Sequence, residues 1–318
     1  MARRALGPAT LAVVQAVEAA LEPADVGLLT ACSGGPDSLA LAYGVGHVAR
    51  RRGLPYAGVV VDHGRQDGSG QVAVEALAAL RGLGYEDAAA LPVAVVDDGS
   101  GPEAAARTAR HAALQAEASV RAATLVLGHT LDDQAETVLL GLARGSGPRS
   151  LAGMPVRSAS RLRPLLGLRR TVTAAACAEL GLTPWTDPHN ADHCFARVRV
   201  RERVLPVLET ELGPGIAEAL ARTADLARAD ADLLDRLAAE ALLEVVVDGA
   251  LACTRAASLP SALRTRVLRG WLLEAGAREA SRGHVDAVDA LLADWHGQGP
   301  VSLPGLVVVR RYGGLRAL

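Results

Sequence analysis

The stretch Leu28-Leu29-Thr30-Ala31-Cys32-Ser33-Gly34-Gly35-Pro36-Asp37-Ser38-Leu39 decides the fold. An apolar run from Val26 to Cys32 leads into the Ser-Gly-Gly-Pro-Asp-Ser loop, and Leu39, Leu41, Ala42 and Val45 lead out of it in a helical pattern. That is a strand, a tight loop and a helix start. The two glycines let the backbone turn where a Cβ would clash, while the serines and the first helix amides present donors at the positive end of the helix dipole. Such a turn suits an anionic phosphate, yet glycine turns at strand ends are also common punctuation. The choice depends on what else in the chain converges on this loop.

Downstream, the helix Ser38 to Arg52 ends at Gly53, and Tyr56 to Val61 reads as a buried parallel strand closed by Asp62-His63-Gly64. A helix over Val72 to Leu83 precedes Gly84, a strand is expected over Ala90 to Val96, and Glu103 to Val120 forms a long helix bearing Arg107 and Arg110 one turn apart. Thr124 to Leu127 is a brief strand closed by Gly128-His129. Upstream, the residues to Glu22 form an alanine-rich amphipathic helix. The alternation predicts an α/β fold, a doubly wound parallel sheet with right-handed crossovers. In such sheets ligands sit beyond the carboxyl ends of the strands. Ser33 to Ser38, Asp62, His63, His129, Asp132, Asp133 and Glu136 should therefore face one crevice. Each also has a plainer role: Asp62 as a turn cap, His129 as a satisfied histidine at a helix start, Asp132 and Asp133 as acids complementing a helix dipole. Asp133 and Glu136, three apart on one helix face, bring like charges together, so a metal or an ammonium group is implied.

With 318 residues the chain has room for a full α/β domain and a smaller second one. No segment approaches the roughly 20 uninterrupted apolar residues of a membrane span, and the N-terminus lacks a secretory core, so a cytoplasmic location is expected. Cys32, Cys177, Cys194 and Cys253 form no Cys-x-x-Cys pair, which argues against zinc and iron-sulfur sites. The formal net charge is −2, but its distribution matters more. Between Glu136 and Glu179 there is no acidic residue, while Arg144, Arg149, Arg157, Arg161, Arg163, Arg169 and Arg170 all fall there. A second cluster comprises Arg197, Arg199, Arg201 and Arg203. The chain contains no lysine. A GC-rich codon bias explains arginine in place of lysine but not this segregation, which suits a face for phosphates. From Gly213 the composition shifts to long alanine-leucine helices, Ile216 to Val246, Pro260 to Glu274 and Arg282 to Trp295, before Pro300 to Leu318 alternates toward β. The expected division is residues 1–212 for the catalytic domain and 213–318 for a mainly helical C-terminal domain.

A lysine-free chain cannot supply a Walker A loop. Instead the sequence resembles the PP-loop ATP pyrophosphatases, and within them the tRNA(Ile)-lysidine synthetases. The resemblance rests on Ser33-Gly34-Gly35-Pro36-Asp37-Ser38, Val61-Asp62-His63-Gly64 and the Ala-Arg-x-x-Arg pattern ending at Arg110. Its most specific stretch is Gly128-His129-Thr130-Leu131-Asp132-Asp133-Gln134-Ala135-Glu136-Thr137, continued by Arg144-Gly145-Ser146-Gly147 and Leu151-Ala152-Gly153-Met154. Arg163-Pro164-Leu165-Leu166 and Trp185-Thr186-Asp187-Pro188-His189-Asn190 complete it.

The resemblance implies that ATP adenylates C2 of the wobble cytidine in the CAU-anticodon isoleucine tRNA, releasing pyrophosphate, and that the ε-amine of free lysine then displaces AMP. It implies ATP contacts from Ser33, Gly34, Gly35, Pro36, Asp37, Ser38, Asp62 and His63, with Asp37 holding Mg2+. Asp37, His129, Asp133 and Glu136 are the candidate catalytic residues, and Asp132, Asp133 and Glu136 the lysine-binding ones. The carboxylates suit the task, because making lysine's amine at pH 7 from an ammonium of pKa about 10.4 costs about 4 to 5 kcal/mol. Arg107, Arg110, Arg144, Arg163, Arg199, Arg201 and Arg203 are the candidates for tRNA phosphates, and Trp185 and Phe195 for stacking on the extruded base. Departures are Arg65-Gln66 after the Asp62-His63-Gly64 motif and Val198 where asparagine is expected. A single helical C-terminal region assigns recognition of the tRNA body to residues 215–318 and to a second subunit, as a homodimer. The rival readings are a 2-thiocytidine synthetase, which would need paired cysteines, an NAD synthetase or amidotransferase, which would not need the arginines, and a non-catalytic nucleotide sensor.

Overall fold

The computed structural model describes residues 5–62, 69–93, 102–145, 147–159, 161–185 and 192–318; the side chains of 62, 69 and 102–104 lie outside that description. Two compact units divide the chain, Met1–Asp225 and Leu226–Leu318.

In the first unit, α1 (Pro8–Ala20) precedes β1 (Leu28–Cys32), α2 (Pro36–Arg52), β2 (Tyr56–Asp62), α3 (Ser69–Gly82), β3 (Ala88–Pro92), α4 (Pro102–Val120), β4 (Thr124–Val126) and α5 (Leu131–Ala143). A one-turn α6 (Pro148–Leu151) and a hairpin of β5 (Arg157–Ser158) and β6 (Arg161–Leu162) follow. Then come a 3-10 turn (Pro164–Gly167), α7 (Arg170–Glu179) and a helical run made of α8 (Ala196–Arg199), a π-helical turn (Val200–Val204) and α9 (Leu205–Glu211). The strands form one sheet in the order β3-β2-β1-β4-β6-β5, parallel except for the β5–β6 hairpin. Thr30 of β1 lies opposite Gly58 on one side and Val126 on the other.

Side chains alternate along β1, so both sheet faces are covered. Leu28 and Cys32 join Val13, Val17, Leu41, Val45 and Leu80 from α1, α2 and α3, whereas Leu29 joins Leu114 and Ala118 of α4. Each fully buried leucine contributes about 1.5 to 3 kcal/mol. The expected parallel sheet is observed, with β3 at Ala88–Pro92 rather than running on from Ala90; residues 94–96 lie outside the described residues. Because the order runs 3-2-1-4, the chain switches direction across the sheet between β1 and β4, and the loops after those strands share a crevice.

The helix α10 (Ile216–Val245) begins in the first unit and ends in the second. The second unit continues with β7 (Val246–Val247), β8 (Ala250–Ala252), α11 (Cys253–Ala257), α12 (Ser261–Glu274), α13 (Arg282–Ala293), β9 (Val301–Leu303), β10 (Leu306–Arg311) and β11 (Gly314–Ala317). Its own core includes Leu242, Leu251, Leu268, Trp271, Val288 and Leu315. It is mainly helical, but its five-stranded sheet, β7-β8-β11-β10-β9, is larger than the single β stretch expected near the C-terminus. The missed pair turns at Asp248-Gly249, with φ of 49° and 74°, the left-handed pair that an Asp-Gly hairpin adopts.

Candidate functional site

The loop after β1 is built before any ligand arrives. Gly34 takes φ +81°, where an L side chain is strained, and its carbonyl accepts the Trp185 amide at 2.9 Å. Gly35 is the residue before α2, and Pro36 starts the helix where its missing N–H costs nothing. The Ser38 hydroxyl accepts from the Ser33 amide at 3.1 Å and donates to the Gly35 carbonyl at 2.9 Å. Ser38 therefore braces the loop from inside and is buried, whereas the sequence presented both serine hydroxyls as donors for a phosphate.

Gly128, two residues past β4, lies against that loop. A Cβ there would meet the Asp37 carbonyl oxygen at 3.0 Å and Ser38 Cα at 3.3 Å, so glycine permits the close approach of the two loops. The helix α5 then starts with Asp133 accepting from the Thr130 amide at 2.8 Å and from the Thr130 hydroxyl at 2.9 Å. The next residue, Gln134, pins the Leu151-Ala152-Gly153-Met154 stretch by donating to the Met154 carbonyl at 2.9 Å and accepting its amide at 2.7 Å. Gly153, at φ +57°, lies where a Cβ would meet Gln134 Oε1 at 2.6 Å.

Asp133 and Glu136 do share a face, and Glu136 is fully buried. The cation that their proximity demands is supplied by the chain itself, which corrects the expectation that it had to be a metal or an ammonium group. Arg201 donates to Glu136 from Nε at 2.7 Å and from Nη2 at 3.2 Å, and Arg197 Nε lies 3.0 Å from the other oxygen. Arg170 reaches three carboxylates at once: Asp133 at 3.0 Å, Glu136 at 3.5 Å and Asp37 at 3.4 Å. The π-helical turn of Val200–Val204 carries Arg201, a register shift of the kind found at functional sites. Asp132 does not sit free in the crevice: it accepts the first amide of α7, Arg170 N, at 2.7 Å and pairs with Arg169 at 3.1 Å.

Asp37 accepts from the Thr173 hydroxyl, and burial, opposed by Thr173 and Arg170, pushes its carboxyl above the usual range. Burial pushes Asp133 the same way, but Arg170 and the Thr130 amide outweigh it and its carboxyl falls below that range. His129 is held neutral. Burial, opposed by Asp133 and reinforced by Arg163, Arg110 and Arg107, pulls it down to about 3, and its Nδ1 is enclosed without a hydrogen-bond partner.

The other predicted residues scatter. Asp62 ends β2, its side chain outside the description, and His63 lies outside the described residues. Arg110, on α4, is enclosed near His129, and Arg107 of the same helix acts on that histidine too. Arg163 is buried, only 8% exposed, and donates to the Pro155 carbonyl at 3.1 Å and Ser158 at 3.3 Å, so it is not an outer-surface arginine. Arg144 ends α5 and is exposed. Arg199 donates to the carbonyls of His193 and Cys194, both at 2.7 Å, and Arg203 meets His193 Nδ1 at 2.8 Å. Trp185 lies against the loop, its Cβ within reach of Gly34, and Phe195 precedes α8. Arg169, Arg170, Arg197 and Thr173 were missed as site residues; the signal for the arginines was the acid-free arginine run and the second arginine cluster, and Thr173 had none.

A glycine loop at the positive end of a long helix, facing buried acids across the sheet's switch point, defines a nucleotide-splitting α/β enzyme of the PP-loop class. A PP-loop domain model matches residues 11–208, and a TilS substrate binding domain model matches residues 251–316. The chain is 53% identical to a tRNA(Ile)-lysidine synthase of Leifsonia xyli over 90% of this chain and 88% of that one. It is 51% identical to the tRNA(Ile)-lysidine synthase of Thermobifida fusca over 96% of this chain and 97% of that one. The chain belongs to the tRNA(Ile)-lysidine synthase family. A U34-tRNA thiolase of Methanococcus maripaludis, 18% identical, shares the fold at a TM-score of 0.57 over 69% of this chain and 80% of that one.

Proposed function

We propose that the protein uses ATP to adenylate C2 of the wobble cytidine of the CAU-anticodon isoleucine tRNA and then joins free lysine there, releasing AMP and forming lysidine. The observation that supports this most is Arg170, one guanidinium touching Asp37 of the phosphate loop and the Asp133–Glu136 pair. A site for splitting ATP and a site for receiving an amine are thereby one side chain apart.

In the first step the amides at the start of α2 and the Ser33 hydroxyl hold the β- and γ-phosphates as negative charge builds on them. Mg2+ fits Asp37: this ion is commonly held by one or two carboxylates plus substrate phosphates, and a cation there would favour the ionised carboxyl that burial opposes. The ion would supply charge neutralisation on the leaving pyrophosphate. In the second step Glu136 and Asp133 receive the ε-ammonium of lysine and relay its proton, and His129, uncharged at pH 7 and held down to about 3, completes the pocket without adding a competing positive charge. The incoming amine must compete with Arg201 and Arg197 for Glu136. Arg144 is proposed to meet tRNA phosphates from the surface, with Arg107, Arg110, Arg199 and Arg203 nearer the crevice and Trp185 beside the base.

Among the described residues no helix is long and apolar enough to cross a membrane, and a cytoplasmic location belongs to this reading. A homodimer is supported by Leu226, Leu233 and Leu237, which share one exposed face of α10. Sedimentation equilibrium tests it, a monomer at micromolar concentration counting against it. For the activity, labelled lysine is mixed with ATP and a CAU-anticodon isoleucine tRNA transcript. Transfer to that tRNA, with AMP and pyrophosphate released, is expected; no transfer, or equal transfer to initiator methionine tRNA, overturns the assignment.

A further inference from the structure

Beside Glu136 the protein forms a half-open pocket of about 140 Å³, with Arg169, Asp132 and Glu209 among its polar walls and Leu205, Pro206 and Ala217 among its apolar ones. It is smaller than the roughly 300 to 1,000 Å³ of a site for a drug-sized ligand and so suits a small molecule better than a whole nucleotide. Its polar residues fall into two sets. Arg201 and Arg170 accompany Glu136. The other set joins Arg169 to Asp132 at 3.1 Å and to Glu218 at 2.7 Å, and Glu209 acts electrostatically on both Arg169 and Glu218.

This second set is fixed in place yet has unused capacity. Glu209 is anchored to the start of α10 by accepting the Gly215 amide at 2.7 Å and the Ala217 amide at 3.2 Å. The Ile216 amide bears on it as well, so of a carboxylate's roughly four lone-pair sites about one stays open. The Arg169 guanidinium has five N–H donors, and Asp132 and Glu218 do not use them all. One oxygen of Glu218 is buried without a hydrogen-bond partner. With their ion-pair partners counted, the carboxylates of Asp37, Asp132, Asp133, Glu136, Glu209 and Glu218 outnumber the guanidiniums of Arg169, Arg170, Arg197 and Arg201 by two, an excess that lysine, with a net charge of +1, reduces.

We infer that Glu209 and Arg169 recognise the amino-acid end of the lysine substrate, Glu209 taking its α-ammonium and Arg169 its α-carboxylate, while the ε-amine lies toward Glu136. The inference rests on the lysine-transfer reading above and names specificity residues for it. It explains how an enzyme that needs only one amine would favour lysine over simpler amines: Glu209 and Arg169 offer charge-assisted hydrogen bonds that an amine lacking the α-ammonium or the carboxylate cannot make.

The test compares three amines on the full chain with ATP, Mg2+ and the tRNA transcript: L-lysine, 6-aminohexanoate, which lacks the α-ammonium, and 1,5-diaminopentane, which lacks the carboxylate. Glu209→Gln is expected to raise KM for L-lysine tenfold or more while leaving that for 6-aminohexanoate within twofold. Arg169→Gln is expected to do the same for L-lysine relative to 1,5-diaminopentane. Equal losses on lysine and the analogue would make these residues structural and overturn the inference. Pyrophosphate release and adenylated tRNA are measured without any amine in parallel. Failure of the wild-type chain there, or in lysine transfer, would sink the reading on which the inference rests, whereas normal adenylation with unchanged amine discrimination would sink the inference alone.

Discussion

Glu136 has no exposed surface and touches three guanidiniums, so its charge is its main property. Replacing it with Gln keeps the shape and removes the charge. Glu136→Gln should retain ATP–pyrophosphate exchange in the presence of tRNA and lose lysine transfer by about 10² to 10⁴-fold. Equal loss of both steps would place the residue in adenylation. His129 and His111 supply a second prediction. Burial, with Asp133 opposing it for His129 and neighbouring arginines adding to it for both, holds them down to about 3 and about 4. A histidine kept neutral in the fold but free to protonate when unfolded stabilises the protein fully above about pH 6.5, and that stability drains away as pH falls toward the folded value. The loss approaches about 1.4 kcal/mol per pH unit for each histidine between about pH 6.5 and 4. Urea unfolding from pH 7.5 to 4.5 should therefore show a falling midpoint, and His111→Gln should flatten it. An unchanged slope in that variant would mean His111 protonates as readily folded as unfolded. None of this was visible in the chain, because the partners that set these charges are distant in sequence: Arg201 lies 65 residues from Glu136 and Arg170 lies 37 from Asp133.

At the scale of elements, the close approach of β4 to the start of α2 is what makes one site of two loops. Gly128→Ala must push its Cβ against the Asp37 carbonyl, and backbone on both sides gives little. We expect a stability cost of about 1 to 3 kcal/mol and a raised KM for ATP, read from chemical unfolding and pyrophosphate exchange. A variant with wild-type KM for ATP would show that the two loops move independently. The elements here were legible because each signal was local: an apolar run, Gly34-Gly35, then helical spacing from Leu39. The bond of Gln134 to Met154 shows why two separate motifs accompany one another, but only after the fold brings residues 20 apart into register. The β7–β8 hairpin had a local signal, Asp248-Gly249, that strands of two and three residues made easy to pass over.

For the whole molecule, the formal charge of −2 says little, because the arginines of residues 144–203 are segregated from most of the acids and then meet a few buried ones. The sequence placed a composition change at Gly213, while the compact units divide at residue 225 within α10, since a helix continues across a change in what it packs against. The second unit has its own core, and Trp271 is its anchor, 2% exposed and donating from Nε1 to the Gly249 carbonyl in the β7–β8 turn at 3.3 Å. Trp271→Ala removes that bond and a large buried ring, at a cost of about 3 to 5 kcal/mol. If residues 226–318 serve to hold the tRNA body, the variant should melt in two steps, the earlier one belonging to this unit. It should bind ATP within twofold of wild type, since the phosphate loop belongs to the other unit, and lose tRNA affinity at least tenfold by filter binding. Loss of ATP affinity together with tRNA affinity would mean that the two units fold as one block, and undiminished tRNA binding would remove the second unit from substrate recognition.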